Sequence, residues 1–257
     1  MTTAPPPQEN AGLSSLVETI VAPASAFDRL AEKQTWGWAF IASSLLAAVG
    51  AMASAPVQRH IAQLMMERQA AAATSPQQAA ALANAASVTD KLSSFGWVFA
   101  PLGVLWVVLI ATVILLICNA LLGGKASFKQ LWCASMNVSV VISLGALLAS
   151  IVMAIRGAGA ITNIFDIFHS SISLAALTPT TNLKILTILS AITPFTLWAL
   201  WLNATIMQRI ARMGAPRAWS AALAALLLPA LVYGAIARMP AGSPLGASSS
   251  TSASASP

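Results

Sequence analysis

The chain has 257 residues, of which 58% are hydrophobic and only 8% charged, with a mean hydropathy of +0.79; a soluble domain carries about 25% charged residues, so a water-soluble fold is excluded. The formal net charge is +6, from thirteen Lys and Arg against seven Asp and Glu. The basic residues cluster at the ends of apolar stretches, which argues for membrane topology and against nucleic acid.

Residues 1–12 are polar and Pro-rich at their start, lack Lys and Arg, and do not lead into the apolar core of a signal peptide. They are expected to be disordered. Residues 13–35 read as two short amphipathic helices. In the first, Leu13, Leu16, Val17, Ile20 and Val21 recur at helical spacing, with Ser15 and Glu18 placed as a capping box. Pro23 interrupts. The second carries Phe27, Leu30 and Ala31 on one face and Asp28, Arg29, Glu32 and Lys33 on the other. Such a segment is suited to the headgroup layer, to a partner helix, or to packing beneath a bundle.

Five stretches then contain no acidic or basic side chain: 38–56, 97–122, 131–155, 185–207 and 218–237. Each holds the eighteen or more residues of a membrane-span candidate, and a helix of about twenty residues covers the ~30 Å hydrocarbon core. The first span is expected to run past the membrane beyond Pro56. From there the chain turns near Thr74–Pro76 and returns as a helix toward Lys91. Residues 157–181 are too short and interrupted to span, and are expected to lie in the outer interface or to fold over the bundle. Residues 239–257 are rich in Ala, Ser, Gly and Pro and read as a disordered tail. The folded unit is thus a five-span membrane domain over residues 13–238. Trp36, Trp38, Trp97, Trp132 and Trp219 mark span ends, where indole rings favour the headgroup level. Trp198 and Trp201 lie toward one end of the fourth span, and Trp106, in mid-span, reads as a packing residue.

Orientation follows from the basic residues on alternate sides. The side of the N-terminus carries seven: Arg29, Lys33, Lys125, Lys129, Arg209, Arg212 and Arg217. The opposite side carries six over longer connections: Arg59, Arg68, Lys91, Arg156, Lys184 and Arg238. Density near span ends orients the chain, which predicts a cytoplasmic N-terminus and an external C-terminus. The seven residues form the candidate cytoplasmic interaction face.

Within the spans, Ser135, Ser139 and Ser143 stack at four-residue intervals, a pattern favouring a close helix–helix interface over a pore wall. The fourth span is rich in hydroxyls around Pro194, which is expected to kink it, as is Pro229 in the fifth. Asn137, Ser139, Thr193 and Asn203 are the candidate lining of an uncharged midplane cavity. Gly123-Gly124-Lys125-Ala126-Ser127 lacks the earlier Gly and the Ser or Thr directly after Lys of a phosphate loop, and is rejected as one. Cys118 and Cys133 make neither a disulfide framework nor a zinc site and read as apolar packing residues. His60 and His169 are the only histidines, no cluster has metal spacing, and no acid lies within a span. No enzyme, cofactor or metal is expected.

The stretch Ile20-Val21-Ala22-Pro23-Ala24-Ser25-Ala26-Phe27-Asp28-Arg29-Leu30, followed by Trp36-Gly37-Trp38 and a first span, resembles the start of bacterial Yip-domain proteins. The run Leu121-Leu122-Gly123-Gly124-Lys125-Ala126-Ser127-Phe128-Lys129-Gln130-Leu131 is similar to that family's turn between its second and third spans. The residues carrying the resemblance are Pro23, Phe27, Leu30, Gly123, Gly124 and Phe128, and it extends over about residues 14–238. It implies five spans and a cytoplasmic N-terminus. Eukaryotic members are implied to bind Rab GTPases in the secretory pathway; the Asp-Leu-Tyr-Gly-Pro-type motif usual in them is absent here. The expectation is therefore an all-α polytopic protein of a bacterial inner membrane, acting as a scaffold or adaptor. It would contact membrane lipids and a protein partner or further copies of itself. A transporter or lipid-handling protein is the alternative.

Overall fold

Hydrocarbon offers no partner to backbone N–H and C=O groups, so an apolar segment that crosses a membrane pairs them within itself as helix. The structure, a computed structural model, describes residues 11–71, 75, 77, 80, 84, 95–161, 164–169 and 171–236. In order it has α1 (Ala11–Val21), α2 (Pro23–Glu32), α3 (Gly37–Ala71), a 3-10 turn at Gly96–Phe99 and α4 (Ala100–Leu121). Then come α5 (Phe128–Arg156), a 3-10 turn at Ala158–Ala160, α6 (Ile164–His169) and a 3-10 turn at Leu174–Leu177. The chain ends in α7 (Leu183–Ser190), α8 (Pro194–Arg209) and α9 (Ala215–Ile236). The protein is an all-α polytopic membrane bundle. The expected return helix toward Lys91, residues 1–10, and the tail beyond Ile236 lie outside the described residues.

Among the described residues, four helices are long and apolar enough to cross a membrane alone: α3, α4 with its 3-10 start, α5 and α9. The fourth expected span is instead a pair, α7 and α8, bent by 58° at a short break. Pro194 does not kink a continuous helix; it begins a new one. Thr193 is the N-cap of α8, its hydroxyl accepting from the Thr196 N–H at 3.0 Å while its own N–H donates to Thr196 Oγ1 at 2.8 Å. Thr196 also donates to the Ala191 carbonyl at 2.8 Å, so the break leaves few orphaned groups. Pro at the first helical position after a Thr cap is a start signal, and here it overrides the apolar continuity of the stretch. Pro229 lies within an unbroken α9, and Pro56 within α3, which continues as expected past the membrane to Ala71.

The most extensive pairing among the described residues is α3 against α5. Ser43 and Ser139 hydroxyls meet at 2.8 Å in a buried contact, and Ser139 also donates to the Met136 carbonyl at 2.7 Å. A Cβ on Gly50 would lie 3.4 Å from the Leu147 Cα, so the two backbones approach as small residues permit. The serine seam is thus an interface between helices. α8 crosses α5 just as closely, since a Cβ on Gly145 would come within 2.5 Å of the Phe195 ring. Leu131, Ala134 and Val138 of α5, Leu115 of α4, and Leu202 and Ile206 of α8 form the main core.

Apolar side chains also face outward. On α4 they are Leu102, Trp106, Leu109, Val113 and Ile117, at three- and four-residue spacing. Trp106, expected to pack inside, is 61% exposed because it shares that lipid-facing stripe. At one end, the described residues between Gly157 and Leu177 pack against the bundle, held by a hydrogen bond between His60 Nε2 and the Ile161 carbonyl at 3.1 Å. His169 bonds the Phe165 and Thr178 carbonyls at 2.8 and 3.3 Å.

Candidate functional site

The other end of the bundle collects three segments far apart in sequence: α1–α2, the α4–α5 turn and the α8–α9 turn. Helix α2 starts at Pro23, which presets its first turn. Ala26, Phe27 and Leu30 are 0% exposed, and Phe27 and Leu30 join the core with Leu131, Ile206 and Met207. The apolar face of α2 is therefore spent on packing beneath the bundle and is closed to a partner helix. Helix α1 begins at Ala11, inside the stretch expected to be disordered, because Gly12 is small enough to sit against Trp38. Ser15 consequently lies within α1 and does not cap it; Thr19 Oγ1 donates to its carbonyl at 2.8 Å.

The α4–α5 turn is built around Asn119. Its carboxamide donates to the Ala126 carbonyl at 3.1 Å and accepts from the Ala126 N–H at 3.2 Å, closing the turn like a short backbone pairing. Gly123 has φ +76°, which L side chains rarely adopt. A Cβ on Gly124 would collide with the Asn119 carboxamide and the Met213 methyl. Ser127 caps α5 in a reciprocal capping box with Gln130. Gln130 Nε2 then donates to the Ala31 carbonyl of α2 at 3.1 Å. The Lys125 N–H donates to the Ala211 carbonyl at 3.0 Å, joining the two turns. Phe128 is half exposed and stacks on Trp132, which meets Trp36 edge-on, forming an aromatic group at the expected headgroup level.

These ties place all seven predicted basic residues at one end, but in two different conditions. Arg29 pairs with Glu18 at 2.8 Å and donates to Ser14 Oγ at 2.9 Å, holding α1 to α2. Arg217 donates to the Leu122 carbonyl at 3.4 Å, where a cation complements the C-terminal end of α4. Arg209 lies 3.6 Å from Asp28 in a loose, half-exposed pair. The side chains of Lys33, Lys125, Lys129 and Arg212 make no hydrogen bond or ion pair among the described residues. Arg212 also has φ 56°, a left-handed conformation that costs a non-glycine residue about 1–2 kcal/mol. A cleft of about 520 Å³ opens between the segments, lined by Asp28 and Glu32 on one side and Lys125, Arg209 and Arg212 on the other, with Ile210 beneath.

The four residues expected to line a midplane cavity are not brought together. Asn137 turns toward the α2–α3 connection, donating to the Thr35 and Cys133 carbonyls at 3.3 and 2.8 Å. Ser139 meets α3, and Thr193 is consumed as a helix cap. Only Asn203 reaches a cleft, of about 170 Å³, between α4, α8 and α9, among Ile110, Ala225, Pro229 and Tyr233. Asn119, Ser127 and Gln130 had no assigned role in the sequence, although Ser-x-x-Gln before an apolar run is a capping-box pattern.

With that geometry in view, the family is decided by one comparison: the Yip1 domain matches residues 17–239. The chain belongs to the Yip1-domain family. No curated protein and no solved structure matches it. The match takes in α2, both interlocked turns and all the described spans, so the basic end is part of the family domain and not an appendage to it.

Proposed function

We propose that this Yip1-domain protein is a non-enzymatic membrane scaffold or adaptor. In this proposal it sits in a bacterial inner membrane with its N-terminus cytoplasmic and its C-terminus periplasmic. Its basic end meets a protein partner or anionic lipid. The observation that carries the proposal is the division of labour at that end. Backbone groups of the turns are satisfied by Asn119, Gln130 and Arg217, while Lys33, Lys125, Lys129 and Arg212 are left for an outside ligand. Each such cation near an anionic surface contributes about 1 kcal/mol. The dense basic end would face the cytoplasm, as positive charge near span ends favours.

The test is to purify the full chain from native membranes in lipid nanodiscs, as wild type and as Lys125→Gln/Arg212→Gln, and to quantify co-purifying proteins and lipids. The proposal expects a stoichiometric protein or an enriched anionic lipid that the double variant loses at unchanged thermal stability. An identical set of companions in both preparations would overturn it.

A second reading has one observation of its own. Asn203 faces the mid-bundle cleft with no hydrogen-bond partner among the described residues, and Pro229 in the same cleft removes the donor that would pair the Ala225 carbonyl. Polar groups left open in an apolar cleft suit a hydroxyl- or amide-bearing lipid. Asn203→Leu should abolish retention of such a lipid if the protein handles one, and a retained lipid unaffected by this change would exclude it.

A further inference from the structure

The cleft at the basic end is not simply basic. Its α2 wall presents Asp28 and Glu32, four residues apart and so on one helical face, while the opposite wall presents Lys125, Arg209 and Arg212 from the two turns. We propose that this cleft is a headgroup site for a phospholipid that carries both a phosphate and a primary ammonium group. This rests on the reading of the basic end as a lipid-facing surface, and it narrows the ligand.

Three observations converge on that chemistry. The first is charge order. A phosphate is matched by the three cations, and a primary ammonium group, carried two carbons beyond the phosphate ester oxygen, is matched by the two carboxylates. A headgroup without an amine would bring no positive charge to Asp28 and Glu32 and would leave both carboxylates uncompensated. A quaternary amine has no N–H to donate to those carboxylates, whereas a primary ammonium has three donors.

The second is level. Lys125 lies in the turn between Leu121 and Phe128, which end and begin spanning helices, and Arg209 is the last residue of α8. The aromatic group of Phe128, Trp132 and Trp36 stands at the same end. The cleft is therefore at headgroup depth, within reach of a lipid and not only of a soluble ion. The third is vacancy of function. The Arg209–Asp28 pair is long, at 3.6 Å, with both side chains about half exposed, so it holds little of the fold together. Glu32, Lys125 and Arg212 make no side-chain polar contact among the described residues, and Arg212 keeps a left-handed backbone. The cleft, about 520 Å³, is large enough for a headgroup with its glycerol carbons over Ile210 and Ala31.

The experiment titrates the detergent-solubilised full chain with dihexanoyl phosphatidylethanolamine, phosphatidylcholine, phosphatidylglycerol and inorganic phosphate, following binding by calorimetry. The wild type should prefer the ethanolamine lipid by about tenfold over the other two lipids, the scale of one charge-assisted hydrogen bond. Asp28→Asn/Glu32→Gln should erase that preference and leave the glycerol lipid unchanged or tighter. Lys125→Gln/Arg212→Gln should weaken all three lipids. Equal affinity of the wild type for the ethanolamine and choline lipids would overturn the inference, as would a preference that survives loss of both acids. Inorganic phosphate binding as tightly as the ethanolamine lipid would also overturn it, in favour of a free-anion site. If the glycerol lipid alone binds and responds to the basic variant, the ethanolamine inference fails while the basic-face proposal stands. If no lipid responds to that variant, lipid recognition by the basic end falls too. Melting temperatures of both variants are measured beside the titrations, and a loss of binding counts only at unchanged fold.

Discussion

The two ends of this bundle are built differently. The far end is covered by short helices and 3-10 turns, tied by contacts to backbone carbonyls such as His60 to Ile161 and His169 to Thr178. At the basic end Asn119 closes the α4–α5 turn on itself, while Gln130 reaches a carbonyl of α2 and Arg217 one at the end of α4, tying separate segments together. One end caps; the other is a constructed surface with charge to spare. The difference teaches that a face is best recognised by what its backbone no longer needs. Where internal partners satisfy the turns, the remaining cations are not needed to hold them.

That contrast can be broken at its strongest point by Phe27→Ala. Truncating a fully buried ring should cost about 3–5 kcal/mol, release α2, and lower the melting temperature followed by tryptophan fluorescence. A shift of under a degree would mean that α2 does not hold the basic end. Asn119→Leu comes next. It orphans the N–H and C=O of Ala126 and should cost about 2–3 kcal/mol, with protease sensitivity rising at the α4–α5 turn. Arg212→Gly separates stability from binding: relief of the left-handed backbone should raise stability by about 1–2 kcal/mol while lipid or partner association falls. If association is kept, Arg212 has no part in it. At the far end, His60→Ala should cost about 1 kcal/mol and leave association at the basic end untouched. Smallest is the coupling between Ser43 and Ser139, where a double-alanine cycle should return about 0.6 kcal/mol.

The spans were legible because hydrocarbon makes a single demand, backbone pairing within an apolar segment, and long uncharged runs meet it. Their ends were legible from Trp and from clustered Lys and Arg. The break before Pro194 was written in Thr193-Pro194-x-Thr196 as a cap and first turn, but its apolar surroundings favoured reading a kink. Side-chain direction was the harder matter. A helix that is apolar all round gives no periodic clue to which stripe meets lipid, so Trp106 was placed inward, and Asn137 and Ser139 were grouped with Thr193 and Asn203. Those four take separate partners because each helix meets a different neighbour at each face. The basic residues were found by type and position; that Arg29 and Arg217 are committed to the fold while Lys125 and Arg212 are not depends on contacts between residues as far apart as 95 positions.

The lipid shell of the basic end is the decisive quantity. Wild type and Lys125→Gln/Arg209→Gln/Arg212→Gln would be extracted from one membrane of mixed composition into nanodiscs, and the ratio of charged or amine-bearing lipids to the bulk measured by mass spectrometry at low and high salt. A several-fold enrichment is expected around the wild type, lost in the triple variant and reduced by salt. Equal lipid ratios in the two proteins, with any protein companion also retained by the variant, would contradict it.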